Sequence, residues 1–163
     1  MTGQAVLSRC GRYRYRLERQ VQAQGLVFAY FGVNGATATA QEDDHTVRKW
    51  LGFTERNGGS RFIVGNAFAL RATDVRELGR ADDPVGPRTK SHLAKMMAEA
   101  DVLVPCWGSR AKLPQRLHGQ LDTLREQIFR AGKPVRVWGL SLSGDPLHPL
   151  TLPYSLPLVE WLR

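Results

Sequence analysis

The chain has little cysteine and no long apolar run. Its 163 residues include 2 cysteines, which are too few for a disulfide scaffold or a four-cysteine zinc site. Its 4 histidines show no ligand spacing with either cysteine, so we expect no metal. No apolar run reaches the ~18 residues that a membrane span needs, and the N-terminal residues lack a signal-peptide core. We therefore expect a soluble, cytoplasmic protein with no membrane partner.

The standard motifs for cofactor binding and nucleophilic catalysis are also absent. There is no P-loop, and the segment VNGATATA after the first apolar strand lacks the three glycines of a dinucleotide fingerprint. There is no serine nucleophile elbow and no recognisable local Cys–His signature. We predict no cofactor.

Positive charge is in excess. Lysine and arginine number 23 against 15 aspartates and glutamates, for a formal net charge of +8. The excess is concentrated in residues 1–20 and 109–136, and basic patches of this kind attract phosphate backbones. A nucleic acid or nucleotide is therefore the predicted partner, with a basic surface kept for solubility as the alternative. The sequence identifies no protein partner.

Hydrophobic patterning predicts an α/β protein. Near the start, apolar and basic residues alternate, namely Tyr13, Tyr15 and Leu17 against Arg12, Arg14 and Arg16. This period of two predicts a strand with its apolar face inward and its arginine face outward. Four later apolar runs predict buried strands: residues 26–33, 62–66, 102–107 and 135–140.

Amphipathic helices separate the predicted strands. Asp43 or Asp44 is positioned to cap the first helix, and Asn57-Gly58-Gly59 ends it. A long polar loop is predicted over residues 71–88. Two further helices are predicted after it, over residues 93–100 and 114–132. The pattern predicts a single domain over 1–163. Its fold would be a three-layer α/β/α arrangement with a mainly parallel four-stranded central sheet and an N-terminal edge strand.

Ligands of open parallel sheets bind at the carboxyl ends of the strands. The residues that leave the predicted strands there include Asn34, Asn66, Trp107 and His148. Each has a plain structural alternative as a turn former, core residue or loop brace. A carboxylate cluster, Glu42, Asp43 and Asp44, follows the first strand. It offers a base or a metal ligand, or simply the cap of the next helix.

Several motifs, in order along nearly the whole chain, resemble the domain-of-unknown-function family 1643 (DUF1643). They are Cys10 to Tyr15, the turn from Asn34 to Ala38, Asp43 to Arg48, Asn66 to Asp74, Asp83 to Pro87, Trp107-Gly108 and Gly144 to Leu150. One departure is that Gly35 follows Asn34 where the family usually has proline.

The order of these motifs is also similar to that of the uracil-DNA glycosylase superfamily, which has a three-layer α/β fold. The resemblance implies that Asn34 positions a water, Asn66 reads a base and His148 belongs to the late His-Pro motif. Asp43 or Asp44 is an alternative base for water activation. Phe68 or Trp107 would stack on the base, and Arg71, Arg110 and Lys112 would contact phosphates.

These observations favour a nucleobase-recognising N-glycosidase that acts on DNA or a nucleotide. Two alternatives stay open: a non-catalytic module that binds nucleic acid or a nucleotide, and an enzyme acting on a small phosphorylated metabolite.

Overall fold

The centre of the chain is a mixed five-stranded sheet with the strand order β1-β2-β4-β3-β5. The computed structural model describes residues 3–35 and 43–163. The strands of this sheet are β1 (Gly3–Leu7), β2 (Arg14–Gln20), β3 (Leu26–Asn34), β4 (Gly59–Phe68) and β5 (Val102–Pro105). A separate two-stranded sheet pairs β6 (Arg136–Val137) with β7 (Val159–Glu160).

Four α-helices and three short 3-10 helices are found in the described ranges. The α-helices are α1 (His45–Arg56), α2 (Arg76–Arg80), α3 (Thr89–Glu99) and α4 (His118–Arg130). The 3-10 helices are Arg110–Lys112, Gln115–Leu117 and Pro149–Thr151. None of the helices in these ranges has the length and apolar character needed to cross a membrane.

The α/β prediction is confirmed, but the prediction of a mainly parallel sheet is not. β3 runs parallel to both β4 and β5, whereas β2 is antiparallel to β1 and to β4. Of the strand predicted over residues 135–140, only Val135 pairs with the central sheet, through a bridge to Leu103 of β5. The next two residues form β6, which pairs with β7. The run leaves the central sheet after Val135 because Arg136 and Val137 pair with β7, and Leu140 forms a bridge with Pro146.

Of the three arginines predicted to face outward, Arg12 is exposed and Arg16 is partly exposed, but the prediction is wrong for Arg14, which is 3% exposed. Arg19, further along the same strand, is 2% exposed. β1 pairs with the predicted N-terminal edge strand, so β2 is an interior strand of the sheet, and four of its seven residues are buried. Arg19 is accommodated there by an ion pair in which its Nε donates to Asp43 Oδ1 at 2.8 Å.

Helices cover both faces of the sheet. α3 and α4 pack Leu93, Met96 and Leu121 into one buried cluster, whereas α1 packs Trp50 and Phe53 into the other. The predicted start and end of α1 are confirmed. Its N-cap is Asp44, whose carboxylate accepts a hydrogen bond from the backbone N–H of Val47 at 2.9 Å. Its C-cap is Asn57, directly before Gly58.

Candidate functional site

A cavity of about 320 Å³ lies at the carboxyl ends of the parallel strands. The register of β3 and β4 places Gly32 beside Asn66, and Phe31 of β3 lies opposite Pro105 of β5. The start of α1 and the chain segments after β5 complete the walls. The cavity brings together six of the predicted site residues: Asn34, Asp44, Asn66, Trp107, Lys112 and His148. A volume of this size is at the lower end of the range for small-molecule sites.

Asn66 presents a side-chain amide to this cavity from the centre of the sheet. The residue is 5% exposed, and no hydrogen bond to its Nδ2 or Oδ1 is formed within the described part of the chain. Buried amides are normally paired, so this one is available to a ligand. A Cβ at Gly32 would lie 2.8 Å from the Asn66 Oδ1, and glycine at this position therefore leaves room for the amide.

His148 is held as a neutral hydrogen-bond donor. Its Nδ1 accepts the backbone N–H of Leu150 at 3.2 Å, which leaves Nε2 as the protonated nitrogen of the neutral ring. Burial lowers the pKa of His148, the charge of Lys112 lowers it further, and Asp44 opposes both. The ring is therefore uncharged near neutral pH, with an N–H to offer in the cavity.

The carboxylates before α1 have different positions. Asp44 lines the cavity while one of its oxygens caps α1, so its other oxygen remains for a ligand or a water. Asp43 is not among the lining residues, and its Oδ1 is engaged by Arg19. Glu42 lies outside the described residues, as does the predicted turn over 36–38. Within the described ranges, no three His, Cys, Asp or Glu side chains are grouped as a metal site.

Asn34 is fixed at the end of β3. Its Nδ2 donates to the carbonyl of Ala72 at 2.7 Å and to that of Gly35 at 3.2 Å. These bonds identify the nitrogen side of the amide and settle its orientation. The Oδ1 then has no donor within residues 3–35 and 43–163, so it is able to accept a hydrogen bond from a water in the cavity.

The sequence reasoning missed Arg14 as a cavity residue. Its guanidinium lies against Gly35, where a Cβ would come within 2.6 Å of Cζ. Burial lowers the pKa of Arg14 to about 10, with Asp44 opposing and Arg71 reinforcing the shift, so it stays charged at neutral pH. Lys112, which is exposed, adds a second cation to the wall. No signal in the sequence separates Arg14 from Arg12 and Arg16, because the interior position of β2 depends on its pairing with β1 and β4.

Trp107 forms part of the wall but is only 3% exposed. Its Nε1 donates to Asp145 Oδ1 at 3.1 Å, which fixes the plane of the indole. Asp145 also accepts hydrogen bonds from Arg110 and from the Ser143 hydroxyl. Arg110 is thereby held between Asp145 and Asp122, and it is not a lining residue of the cavity.

Phe68 and Arg71 are not among the residues that line the cavity. Phe68 is 0% exposed in the cluster that α3 and α4 cover, so its ring has no surface with which to stack on a base. Arg71 is half-buried, and its backbone N–H donates to the carbonyl of Arg12 at 2.9 Å. The predicted stacking role of Phe68 does not fit its position, and we do not carry Arg71 into the site.

One comparison with known proteins finds a match. The sequence model of the family described as "Protein of unknown function (DUF1643)" matches residues 14–150. No curated protein matches the chain, and no solved structure does. The matched range contains every residue of the cavity that is described above.

Proposed function

This chain belongs to the DUF1643 family of proteins of unknown function, and we propose that it recognises a nucleobase and hydrolyses an N-glycosidic bond. The substrate would be DNA or a nucleotide. The proposal takes up the similarity of the motif order to the uracil-DNA glycosylase superfamily.

The observation that carries the proposal is the Asn66 amide, which has no hydrogen-bond partner among the described residues and lies in a cavity that also contains a neutral histidine. An amide offers a donor and an acceptor in one plane, which matches the edge of a nucleobase. A site built to hydrogen-bond a ligand discriminates strongly against ligands that leave its buried polar groups unpaired. Trp107 provides a flat apolar wall beside it.

His148 would stabilise the departing base. When the C1′–N bond breaks, its electron pair moves onto the base, and positive charge develops on the sugar. The His148 Nε2–H can donate to a base carbonyl oxygen on which the negative charge grows. A preorganised donor of this kind contributes about 3–4 kcal/mol to transition-state stabilisation.

Asn34 and Asp44 would act on the attacking water. The fixed Oδ1 of Asn34 accepts one water hydrogen bond and orients the oxygen toward C1′. The water oxygen bonds to C1′, and the Asp44 carboxylate accepts its proton as a general base. The base anion then takes a proton from solvent, which completes the hydrolysis.

The cations in the cavity favour one alternative. Arg14 and Lys112 fit an anionic group, so binding of a nucleotide or of another small phosphorylated metabolite is the second candidate function. In this alternative the cavity binds the ligand and hydrolyses no glycosidic bond. Arg14 then contributes more to binding than His148 does.

The test is a mass-spectrometric screen for released free base. The protein is incubated with single- and double-stranded oligonucleotides and with mononucleotides that carry normal, deaminated and modified bases. The parent should release one class of base, and His148→Ala and Asn66→Ala should reduce that release by about 100-fold or more. Asn66→Asp, which replaces the donor with an acceptor, should change the base that is accepted.

Two matched variants control for general damage. Asn57→Ala deletes an amide at the far end of α1, and His45→Ala deletes an exposed histidine that does not line the cavity. Both should keep the parental rate. Base release that survives unchanged in Asn66→Ala and His148→Ala would refute the assignment. Tight mononucleotide binding without release would favour the phosphate-binding alternative.

A further inference from the structure

A second, larger cavity lies near the N-terminus and takes no part in the site described above. It has a volume of about 780 Å³ and runs along the hairpin between β1 and β2 and the start of α3. We call it the N-terminal groove. The lining residues on which its chemistry depends are Arg9, Tyr13, Tyr15, Arg88 and His92.

Three stacked rings form the floor of the N-terminal groove. Tyr15 stacks on Tyr13 at a centroid distance of 6.0 Å and on His92 at 4.8 Å, with interplanar angles of 12° and 13°. Tyr15 is 5% exposed, whereas Tyr13 and His92 are partly exposed. The Tyr13 hydroxyl donates to the Asp83 carbonyl at 2.7 Å, so the first ring is anchored at its far end.

The arginines around these rings are exposed and are not neutralised by carboxylates. Arg9, Arg12 and Arg88 form no ion pair within the described ranges. The guanidinium of Arg12 lies 5.9 Å from the centroid of the Tyr13 ring. The nearby Asp83 carboxylate is engaged by the backbone N–H of Gly86 at 3.0 Å.

The other basic segment, over residues 109–136, pairs two of its arginines with carboxylates: Arg110 with Asp122 and Asp145, and Arg130 with Glu126. Its remaining cations keep their charge, although Arg125 lies over the ring of Trp161 and Lys133 donates to the carbonyls of Ala98 and Ala100. The N-terminal groove combines exposed arginines with partly exposed aromatic rings in one cavity.

The N-terminal groove also lies at the same end of the sheet as the site cavity. Arg14, the first residue of β2, lines that cavity, whereas its neighbours Tyr13 and Tyr15 line the N-terminal groove, and successive side chains of an extended chain point to opposite faces. The backbone N–H of Arg14 bonds to the carbonyl of Ala69, just beyond the end of β4. The two cavities therefore lie at the same end of the sheet, on opposite faces.

We propose that the N-terminal groove binds single-stranded nucleic acid. Bases of an unpaired strand stack on exposed aromatic side chains, and a rim of cations follows the phosphates. A duplex hides the faces of its bases, so the rings of Tyr13 and His92 select the unpaired form. This binding surface goes beyond the base cavity and does not depend on the chemistry there.

The experiment measures the affinity of the full chain for a short fluorescein-labelled oligothymidylate by anisotropy over a range of NaCl concentrations. The double variant Arg9→Ala with Arg88→Ala should raise Kd at least about fivefold. It should also flatten the slope of log K against log salt by about 1.4, since each lost contact to a single strand removes about 0.7. The matched double variant Arg130→Ala with Arg136→Ala removes the same charge elsewhere and should leave the slope nearly unchanged.

A second pair of variants tests the rings. Tyr13→Leu should weaken binding by about 5- to 100-fold, whereas Tyr13→Phe keeps the ring and should bind nearly as the parent does. Equal effects of the two arginine double variants would overturn the proposal. So would equal affinity for duplex and single strand, or competition by polyglutamate as effective as that by unlabelled oligothymidylate. The assay measures binding and needs no turnover. It therefore tests the groove whether or not the parent protein releases a base.

Discussion

The contact between Gly32 and Asn66 makes a direct test of the site geometry. Replacing Gly32 with alanine adds a Cβ that would lie 2.8 Å from the Asn66 Oδ1. An ordinary non-bonded carbon contact is about 3.5 Å or longer, so the amide must move. Its immediate surroundings are packed, since Asn66 is 5% exposed, and its direction of escape is into the cavity.

We expect Gly32→Ala to lower the free energy of unfolding modestly and to lower the rate of base release strongly. Overpacking costs about 1–3 kcal/mol, and the open side of the cavity puts this case near the lower end. For a chain of this length, 1 kcal/mol corresponds to about 2–4 °C in Tm. Displacement of a positioned amide should reduce base release by about 10- to 100-fold.

Urea denaturation followed by circular dichroism measures the stability, and the base-release screen measures the activity. Gly119→Ala is the matched control, because a Cβ at this exposed position of α4 has no described atom within 4 Å apart from its chain neighbours and the backbone of its own helix. It should stabilise the helix by about 0.5–1 kcal/mol, with activity unchanged. A Gly32→Ala variant with parental stability and parental base release would refute the close approach of Asn66 to Gly32.

Two further predictions concern ionisable groups near the cavity. Burial alone would raise the pKa of Asp145, but hydrogen bonds from Arg110, Ser143 and Trp107 outweigh it and lower the pKa. Asp145→Asn should therefore lower the free energy of unfolding by about 2–3 kcal/mol at pH 7. The loss is smaller than for a fully buried ion pair because Arg110 is partly exposed. The difference between variant and parent should disappear as the pH falls from about 4 through the lowered pKa of Asp145 in the folded state. A difference that persists at low pH in urea denaturation would contradict it. For His148, the unfolded form binds a proton more readily than the folded form, so stability should fall as the pH drops from 7 through about 6.5. Burial also lowers the pKa of His92, so this residue adds to the same loss of stability. His148→Ala should therefore flatten the dependence of unfolding free energy on pH only in part. A dependence identical to that of the parent would show that His148 does not contribute to it.

The local parts of the fold follow from local chemistry. The cap at Asp44 is predictable because it needs one carboxylate and a backbone N–H three residues later. The meeting of Asn34, Asn66 and Trp107 at one edge is predictable because parallel strands end on the same side of a sheet. The antiparallel β1 was not predicted, since its five residues carry a weak hydrophobic pattern and gain their stability from pairing with β2.

The assignment of particular side chains to the cavity depends on distant parts of the chain. Adjacent carboxylates such as Asp43 and Asp44 are equivalent in sequence, and it is Arg19 on β2 that engages Asp43 and separates their positions. Phe68 and Asn66 both lie near the end of β4, yet one packs under α3 and α4 while the other faces the cavity.

The sequence by itself determined β2 to β5, the helices α1, α3 and α4, the family, and the identity of the polar residues at the carboxyl ends of the strands. Only the tertiary structure decided that Arg14 points inward, that the Asn66 amide has no hydrogen-bond partner within the described residues, and that Arg110 and Arg130 are held in ion pairs while Arg9, Arg12 and Arg88 have none in those ranges. The physical reason is that periodicity is a property of neighbours along the chain. Burial, hydrogen-bond satisfaction and charge compensation depend on the residues that the fold brings alongside.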